Sequence, residues 1–188
     1  MRRRWVQAVC LLLLTGCSTW PLGDTLDANP DPWPKPYQAT FSVPAGTTVM
    51  EQRQYSDGKG RIRLDVPFME SRRSINVYDL KKNEKLSWTE GTGEYLRETL
   101  NRDEVPFLSK EKLQSQSTPS LGDKVIDGHP CVGFGGPQGE IWIDPRYGIA
   151  VLSTSGGASI KLTSFRETAP SDSLFEVPAG YRQMANGP

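Results

Sequence analysis

The chain has 188 residues, enough for one domain that buries roughly two-thirds of its unfolded surface, so its core needs no disulfide staples. Its 22 basic and 22 acidic residues balance, which leaves no field to draw in a nucleic-acid backbone. The plentiful Gly and Pro (18 and 15) suit a β-rich protein with many tight turns.

The amino terminus reads as a targeting segment. Arg2-Arg3-Arg4 is a positive start, Trp5 to Leu14 an apolar run, and Leu14-Thr15-Gly16-Cys17 matches the bacterial lipobox. A spanning helix needs about 20 apolar residues, and this run is shorter. The reading is therefore that residues 1–16 are removed and that Cys17 carries the lipid, its sulfur alkylated and its amine usually acylated, with palmitate as the expected label. Several chains at about 0.8 kcal/mol per buried CH₂ make such an anchor durable. The competing reading is an ordinary secretory signal cut elsewhere, or a buried strand. Ser18 in place of Asp matches the outer-membrane sorting pattern of two-membraned bacteria. Losing Arg2, Arg3 and Arg4 takes the 22 basic residues to 19 against 22 acidic, a mildly acidic mature protein. Residues 17–36 hold Pro21, Pro30, Pro32, Pro34 and Pro36, a tether that reaches up to ~60 Å if fully extended. The alternative is that part of it packs on the domain through Trp20 and Trp33.

From Tyr37 to the C-terminus the pattern is that of short strands. Tyr37–Val43 and Thr48–Tyr55 flank Pro44-Ala45-Gly46, and Ser56–Gly60 turns the chain into Arg61–Val66. There Ile62, Leu64 and Val66 alternate with Arg61, Arg63 and Asp65, which predicts one buried and one wet face. Arg73–Leu80 and Glu84–Thr89 form a hairpin across Lys81-Lys82-Asn83, and Glu94–Leu100 follows as a strand. Asp103–Gln114 is the best helix candidate, with Pro106 confining its start. Ser115–Gly122 reads as a polar connection. Then Val125–Asp127, Cys131–Phe134, Glu140–Asp144, Ile149–Thr154 and Ser159–Phe165 are separated by turn signals too short for a helical crossover, so consecutive strands must pair directly in an antiparallel meander. Leu174–Tyr181 closes the domain with a small apolar plug.

No assembled chemistry stands out. His129 and Cys131, two apart on a strand, invite a Cys–His nucleophile, but Pro130 lies between them, no orienting partner is visible, and an isolated Cys is more often a small buried hydrophobe. Gly133, Gly135, Gly136 and Gly139 run into a strand instead of a helix N-terminus, which argues against a phosphate loop. Carboxylates such as Asp127, Glu140 and Asp144 read as a solvated face, and Ser153, Ser155 and Ser159 lack a nucleophile elbow. The expectation is no enzyme, no metal and no cofactor.

Gly139-Glu-Ile-Trp-Ile-Asp-Pro145 and Leu174-Phe-Glu-Val-Pro-Ala-Gly-Tyr181, following a lipobox and a β-meander, resemble bacterial envelope proteins of the LolA/LolB-like superfamily over most of Tyr37–Arg182. The resemblance implies a mainly β (α+β) fold, a single curved antiparallel sheet forming an open half-barrel with one or few short helices. It implies an apolar concave face that receives acyl chains. Trp88, Tyr95, Phe107, Leu108, Trp142 and Phe165 are the candidate lining, with a plain packed core as the alternative for each. The expected function is that of a lipoprotein of the cell envelope, outer-membrane and periplasm-facing where two membranes exist, binding a lipid or a lipoprotein's acyl chains. The alternative is a structural or interaction lipoprotein engaging another envelope protein, with no ligand cavity.

Overall fold

Alternating side chains and closely spaced turns leave the chain one economical arrangement, in which each strand pairs with the next. The computed structural model describes residues 33–68, 72–108 and 118–185; Cys17, the signal segment, Trp20 and the tether up to residue 32 lie outside the described residues. Six strands come first: β1 (Tyr37–Ala45), β2 (Thr48–Ser56), β3 (Arg61–Phe68), β4 (Arg72–Asp79), β5 (Glu84–Thr89) and β6 (Glu94–Thr99). After a crossover come β7 (Ser120–Ile126), β8 (His129–Gly136), β9 (Gly139–Asp144), β10 (Ile149–Ser155) and β11 (Ala158–Arg166), then the short β12 (Arg182–Gln183). All lie in one open sheet of order β12-β6-β5-β4-β3-β2-β1-β11-β10-β9-β8-β7. The two meanders are joined by the antiparallel pairing of β1 with β11, so the chain leaves one edge at β6 and re-enters at the other at β7.

The turn chemistry explains the registers. Asp127 and Gly128 both have positive φ, 49° and 82°, the two-residue turn whose twist matches that of the strands it joins. It sets Ile126 opposite His129. Pro130 falls opposite Val125, at a non-hydrogen-bonded position where β7 requires no N–H from it.

The sheet curls strongly. Adjacent strands lie about 4.8 Å apart, so β8 and β11, three places apart in the order, would be separated by about 14 Å in a flat sheet; yet the rings of His129 and Phe165 meet edge to face with centroids 4.8 Å apart. Their face is the inner one. The pairings carry it through Trp142, Leu162, Phe41, Tyr37, Ile62 and Tyr78, whereas Phe134, Ile143, Tyr55, Val77 and Trp88 belong to the outer face.

Three expectations change. The segment read as a helix from Asp103 is a 3₁₀ turn over Arg102–Glu104 followed by extended chain to Leu108, with Val105 at φ −66°, ψ 122°. Pro106 forces this, because its ring excludes the helical region for the residue before it; the rest of that segment lies outside the described residues. Strand β7 starts at Ser120, within the stretch read as a connection. The face of β3 read as wet is buried at Arg63 and Asp65, 9% and 3% exposed, because the C-terminal segment lies over it. Trp33 packs on the domain against the Ile62–Tyr78 cluster, the outcome the alternative reading of the tether anticipated for that residue.

Candidate functional site

The inner face is filled by its own side chains. Tyr37 and Val151 are fully buried, and Phe41, Leu162 and Trp142 are 4%, 6% and 7% exposed. Tyr37, Tyr147 and Phe165 interlock with centroids 4.8 to 6.0 Å apart. Trp142 lies across Gly133, where a Cβ would come within 2.6 Å of its ring; that glycine is the space the indole occupies. The indole N–H has no hydrogen-bond partner among the described residues.

One rim of this face carries the strongest polar cluster. Asp144, with no exposed surface, ends β9; its Oδ2 lies 2.9 Å from His129 Nδ1, and it accepts from Arg146 Nη2 at 2.7 Å, Nε at 3.0 Å and the backbone N–H at 3.1 Å. Burial opposes ionisation, but the Arg146 guanidinium and these hydrogen bonds outweigh it and hold the carboxyl below the usual carboxylate range. Its reading as a solvated carboxylate is corrected. Beside it the Cys131 thiol donates to the His129 carbonyl at 3.3 Å and is pushed up to about 11 by burial and by the Asp144 charge. Near neutral pH it is a thiol, not the thiolate a nucleophile requires.

The crossover rounds this rim. Gln54 Nε2 donates to Tyr37 Oη at 2.7 Å and to the Pro106 carbonyl at 2.6 Å, and the Leu108 N–H reaches the Gly148 carbonyl at 2.9 Å. Gly148, at φ +62°, leaves the space that the Phe107 ring uses.

On the outer face the C-terminal segment covers β3–β5. Phe175, 3% exposed, joins Ile75, Val77 and Trp88, with Tyr95, Val177 and Tyr181 packed around them. Arg63 is clamped beneath: Nε and Nη2 donate to Asp65 at 2.5 and 3.0 Å, and Nη1 to the Leu174 carbonyl at 2.6 Å. Arg61 bonds both Asp57 and Asp172 and lies over the Phe175 ring. Where the segment lifts from the sheet, a groove of about 580 Å³ opens between Ile75, Trp88, Glu90, Val177 and Tyr181, with Arg63 at its floor. A second groove, about 700 Å³, lies between the β8–β9 and β10–β11 turns and includes Leu121.

The six candidate lining residues do not share one surface. Trp142 and Phe165 are in the inner cluster, Phe107 packs on the Ile62–Tyr78 cluster of the same face, and Leu108 packs on Phe134 and Ile143 of the outer face. Trp88 and Tyr95 meet under the C-terminal segment. The sequence reading missed Arg63, Asp65 and Asp144 as buried polar groups, and His129 and Arg146 as the partners that hold Asp144. The available signal was a charge at a strand end followed by a turn, as in Asp144-Pro145-Arg146.

No protein-family model matches the chain, and no curated protein matches it. Among solved structures it is similar to an uncharacterized conserved protein from Thermus thermophilus, 13% identical, with a TM-score of 0.55 over 80% of this chain and 90% of that one. It is also similar to MucB of Pseudomonas aeruginosa in the MucA/MucB complex, 18% identical, TM-score 0.49, covering 78% of this chain. A structure of MucB in complex with MucA(peri) is 17% identical, with a TM-score of 0.47 over 80% of this chain. The chain spans 57% of the length of either MucB chain. The Thermus protein shares the fold; at this identity the likeness extends no further.

Proposed function

We propose that this protein is an envelope lipoprotein, anchored through Cys17, that acts as an interaction module on a partner protein. The observation that carries this reading is the filled inner face. Tyr37, Phe41, Val151, Leu162 and Trp142 occupy the concavity in which an acyl chain would lie, and opening it would forfeit about 25 cal/mol for each Å² of apolar surface returned to water. On the outside, among the described residues, two open grooves and the β7 edge of the sheet remain for recognition.

A second reading has support from the groove under the C-terminal segment. Its volume lies within the ~300–1,000 Å³ of small-ligand sites, and Trp88 with Tyr95 are candidate lining residues on the sequence pattern as well. In that reading the segment beyond Phe175 is the lid and the ligand is a single short amphiphile.

Bromo-acyl lysophospholipid and a triacylated lipopeptide, titrated against the full-length protein below their micellar concentrations, separate the two. Unchanged fluorescence of Trp142 and of Trp88, each read in a variant whose other tryptophans are Phe, with site-specific photo-cross-links to a protein in native membranes, is the expected result, and quenching of Trp88 alone would favour the second reading. Saturable quenching of Trp142 would return the acyl chain to the inner face and end the proposal. Cys17→Ser is expected to leave the chain unlabelled by palmitate and released from membranes; a variant that still labels and stays bound removes the anchor.

A further inference from the structure

We propose that β7 is a docking edge for an extended segment of a partner protein, which adds to the sheet as a further strand with a basic residue opposite Asp123, an apolar residue opposite Val125 and a second apolar residue beside Leu121, where the β7 register shifts. This deepens the interaction reading and rests on it.

Strand β7 ends the sheet order. Ile126 and His129 flank the two-residue turn as a hydrogen-bonded pair, and alternation then makes Lys124–Cys131 the next one. Val125 and Asp123, at the intervening positions, direct their N–H and C=O away from β8, toward the open side. From Gly122 to Ile126, backbone groups that an interior strand would spend on a neighbour are thus presented in register for a new partner, and the register shift between Ser120 and Gly122 ends that run. Val125 and Leu121 are 69% and 44% exposed, two of the few large apolar side chains that face water, and Leu121 borders the 700 Å³ groove.

Charge selects the occupant. The Lys124 ammonium is drawn over the Trp142 ring on the inner side, 5.2 Å from its centroid, while Asp123 is exposed on the outer side, opposite Val132, with no cation bridged to it among the described residues. A second copy fits poorly. Antiparallel pairing about a two-fold axis keeps each face on its own side, so opposed residues must be an even number apart. The centred register then sets Asp123 against Asp123, and the next one sets Lys124 against Lys124. Centring on Val125 pairs the two valines but sets Asp123 against Asp127, and centring on Gly122 sets the two glycines opposite, beside the register shift. Like charges directly opposite are destabilising, and opposite charges or apolar pairs are stabilising by roughly 0.2–1 kcal/mol each. The matching occupant is therefore a different chain with alternating apolar, basic and apolar side chains on one face.

The test uses the full-length lipidated protein in detergent and the labelled peptide Ser-Val-Thr-Lys-Thr-Val-Ser, with a second peptide carrying Glu at the centre. Expected are saturable binding of the Lys peptide, slowed amide exchange at Asp123 and Val125 but not at Lys124, and weaker binding of the Glu peptide. Asp123→Lys should reverse that preference by about threefold to fivefold, the scale of a cross-strand charge pair. Val125→Pro removes an outward N–H without touching a β7–β8 hydrogen bond and should lower affinity about tenfold or more. Peptides N-methylated on the side that meets β7 should lose binding, and those methylated on the other side should keep it, which probes the same geometry without altering the protein. Absence of binding at millimolar peptide, indifference to methylation or Val125→Pro, or an unreversed preference would overturn the edge. So would a concentration-dependent dimer abolished by Val125→Pro, since it would make a second copy the occupant. If native-membrane cross-links form at the grooves while the peptides fail, the edge is lost and the interaction reading stands; if neither forms, both fall.

Discussion

The two faces of this sheet are closed in different ways. On the inner face over β1 and β8–β11, curvature brings His129 of β8 against Phe165 of β11, and the side chains of these strands shut one another off from water, whereas over β3 and β4 Trp33, Val105 and Phe107 pack on the same face. On the outer face of β3–β5, a separate segment does the closing: Phe175 plugs a cluster around Trp88, and Arg61, Arg63 and Tyr181 fasten the segment down. A closure built from the sheet itself opens only when strands part, whereas a closure built from a tail opens when the tail lifts. The first belongs to global unfolding and the second to a local equilibrium.

The largest effect should come from Trp142→Ala. The indole is buried across Gly133, and nothing mobile is available to refill its space, so chemical denaturation should report a loss of ~3–5 kcal/mol, the usual range for a buried aromatic. A loss below about 1 kcal/mol would mean the inner face tolerates a hole there, and the contrast between the faces would fail. Asp144→Asn comes next, at ~1.5–3 kcal/mol near neutral pH, the scale of hydrogen bonds to a charged group. The folded carboxyl titrates below its unfolded value of about 3.9, so its contribution is fully present above that pH and is lost as pH falls through the lower folded value. Urea midpoints from pH 6 down to 2 should drop less steeply for the variant than for the parent. Equal slopes would show that Asp144 is not a source of the acid sensitivity.

Most of the strands were legible because period-two alternation and Gly-rich turns fix them locally: Ile62, Leu64 and Val66 announce one face of β3 wherever that strand sits. What covers each face was not legible. Arg63 and Asp65 have the same alternation whether they meet water or Leu174, and only the return of a segment over a hundred residues later decides it. The six candidate lining residues scattered for this reason: Phe107 and Leu108 are neighbours in sequence, yet the rim at Gly148 sends them to opposite faces. The early part of β7 escaped notice because Gly122, Asp123 and Lys124 lack the alternation that a half-buried strand shows. The helix over Asp103–Gln114 was a wrong reading up to Leu108, since Pro106 outweighs the spacing of Val105 and Leu108.

A smaller effect is expected from Phe175→Ala, about 2 kcal/mol, less than at Trp142, because the tail can undock and leave the sheet folded. Labelling and amide exchange make the distinction directly. Cys131, 2% exposed on the inner face, should react with iodoacetamide only through global unfolding, whereas the Arg182 amide, bonded to the Gly93 carbonyl at 2.9 Å, should exchange through lifting of the tail. Phe175 is undocked in the lifted and in the unfolded chain alike, so Phe175→Ala should speed both reactions, whereas Trp142→Ala, whose site stays packed when only the tail lifts, should speed the first alone; acceleration of the second by Trp142→Ala would merge the two closures into one.

The smallest change sharpens the comparison most. The Tyr181 hydroxyl accepts the Gly91 N–H at 2.9 Å, at an exposed position, and ties the far end of the tail to the β5–β6 turn. Tyr181→Phe keeps the ring in its cluster and removes only that acceptor, a loss of ~0.5–1 kcal/mol with water free to replace it. That bond is lost in the lifted and in the unfolded chain alike, so the urea midpoint should fall by the small amount this free energy sets, and exchange of the Arg182 amide should rise about twofold to fivefold. The urea dependence separates the closures: lifting the tail exposes little surface, so Arg182 exchange should climb with urea far less steeply than iodoacetamide labelling of Cys131. If the two climb equally steeply, the tail and the sheet open together, and the outer cover is as permanent as the inner one.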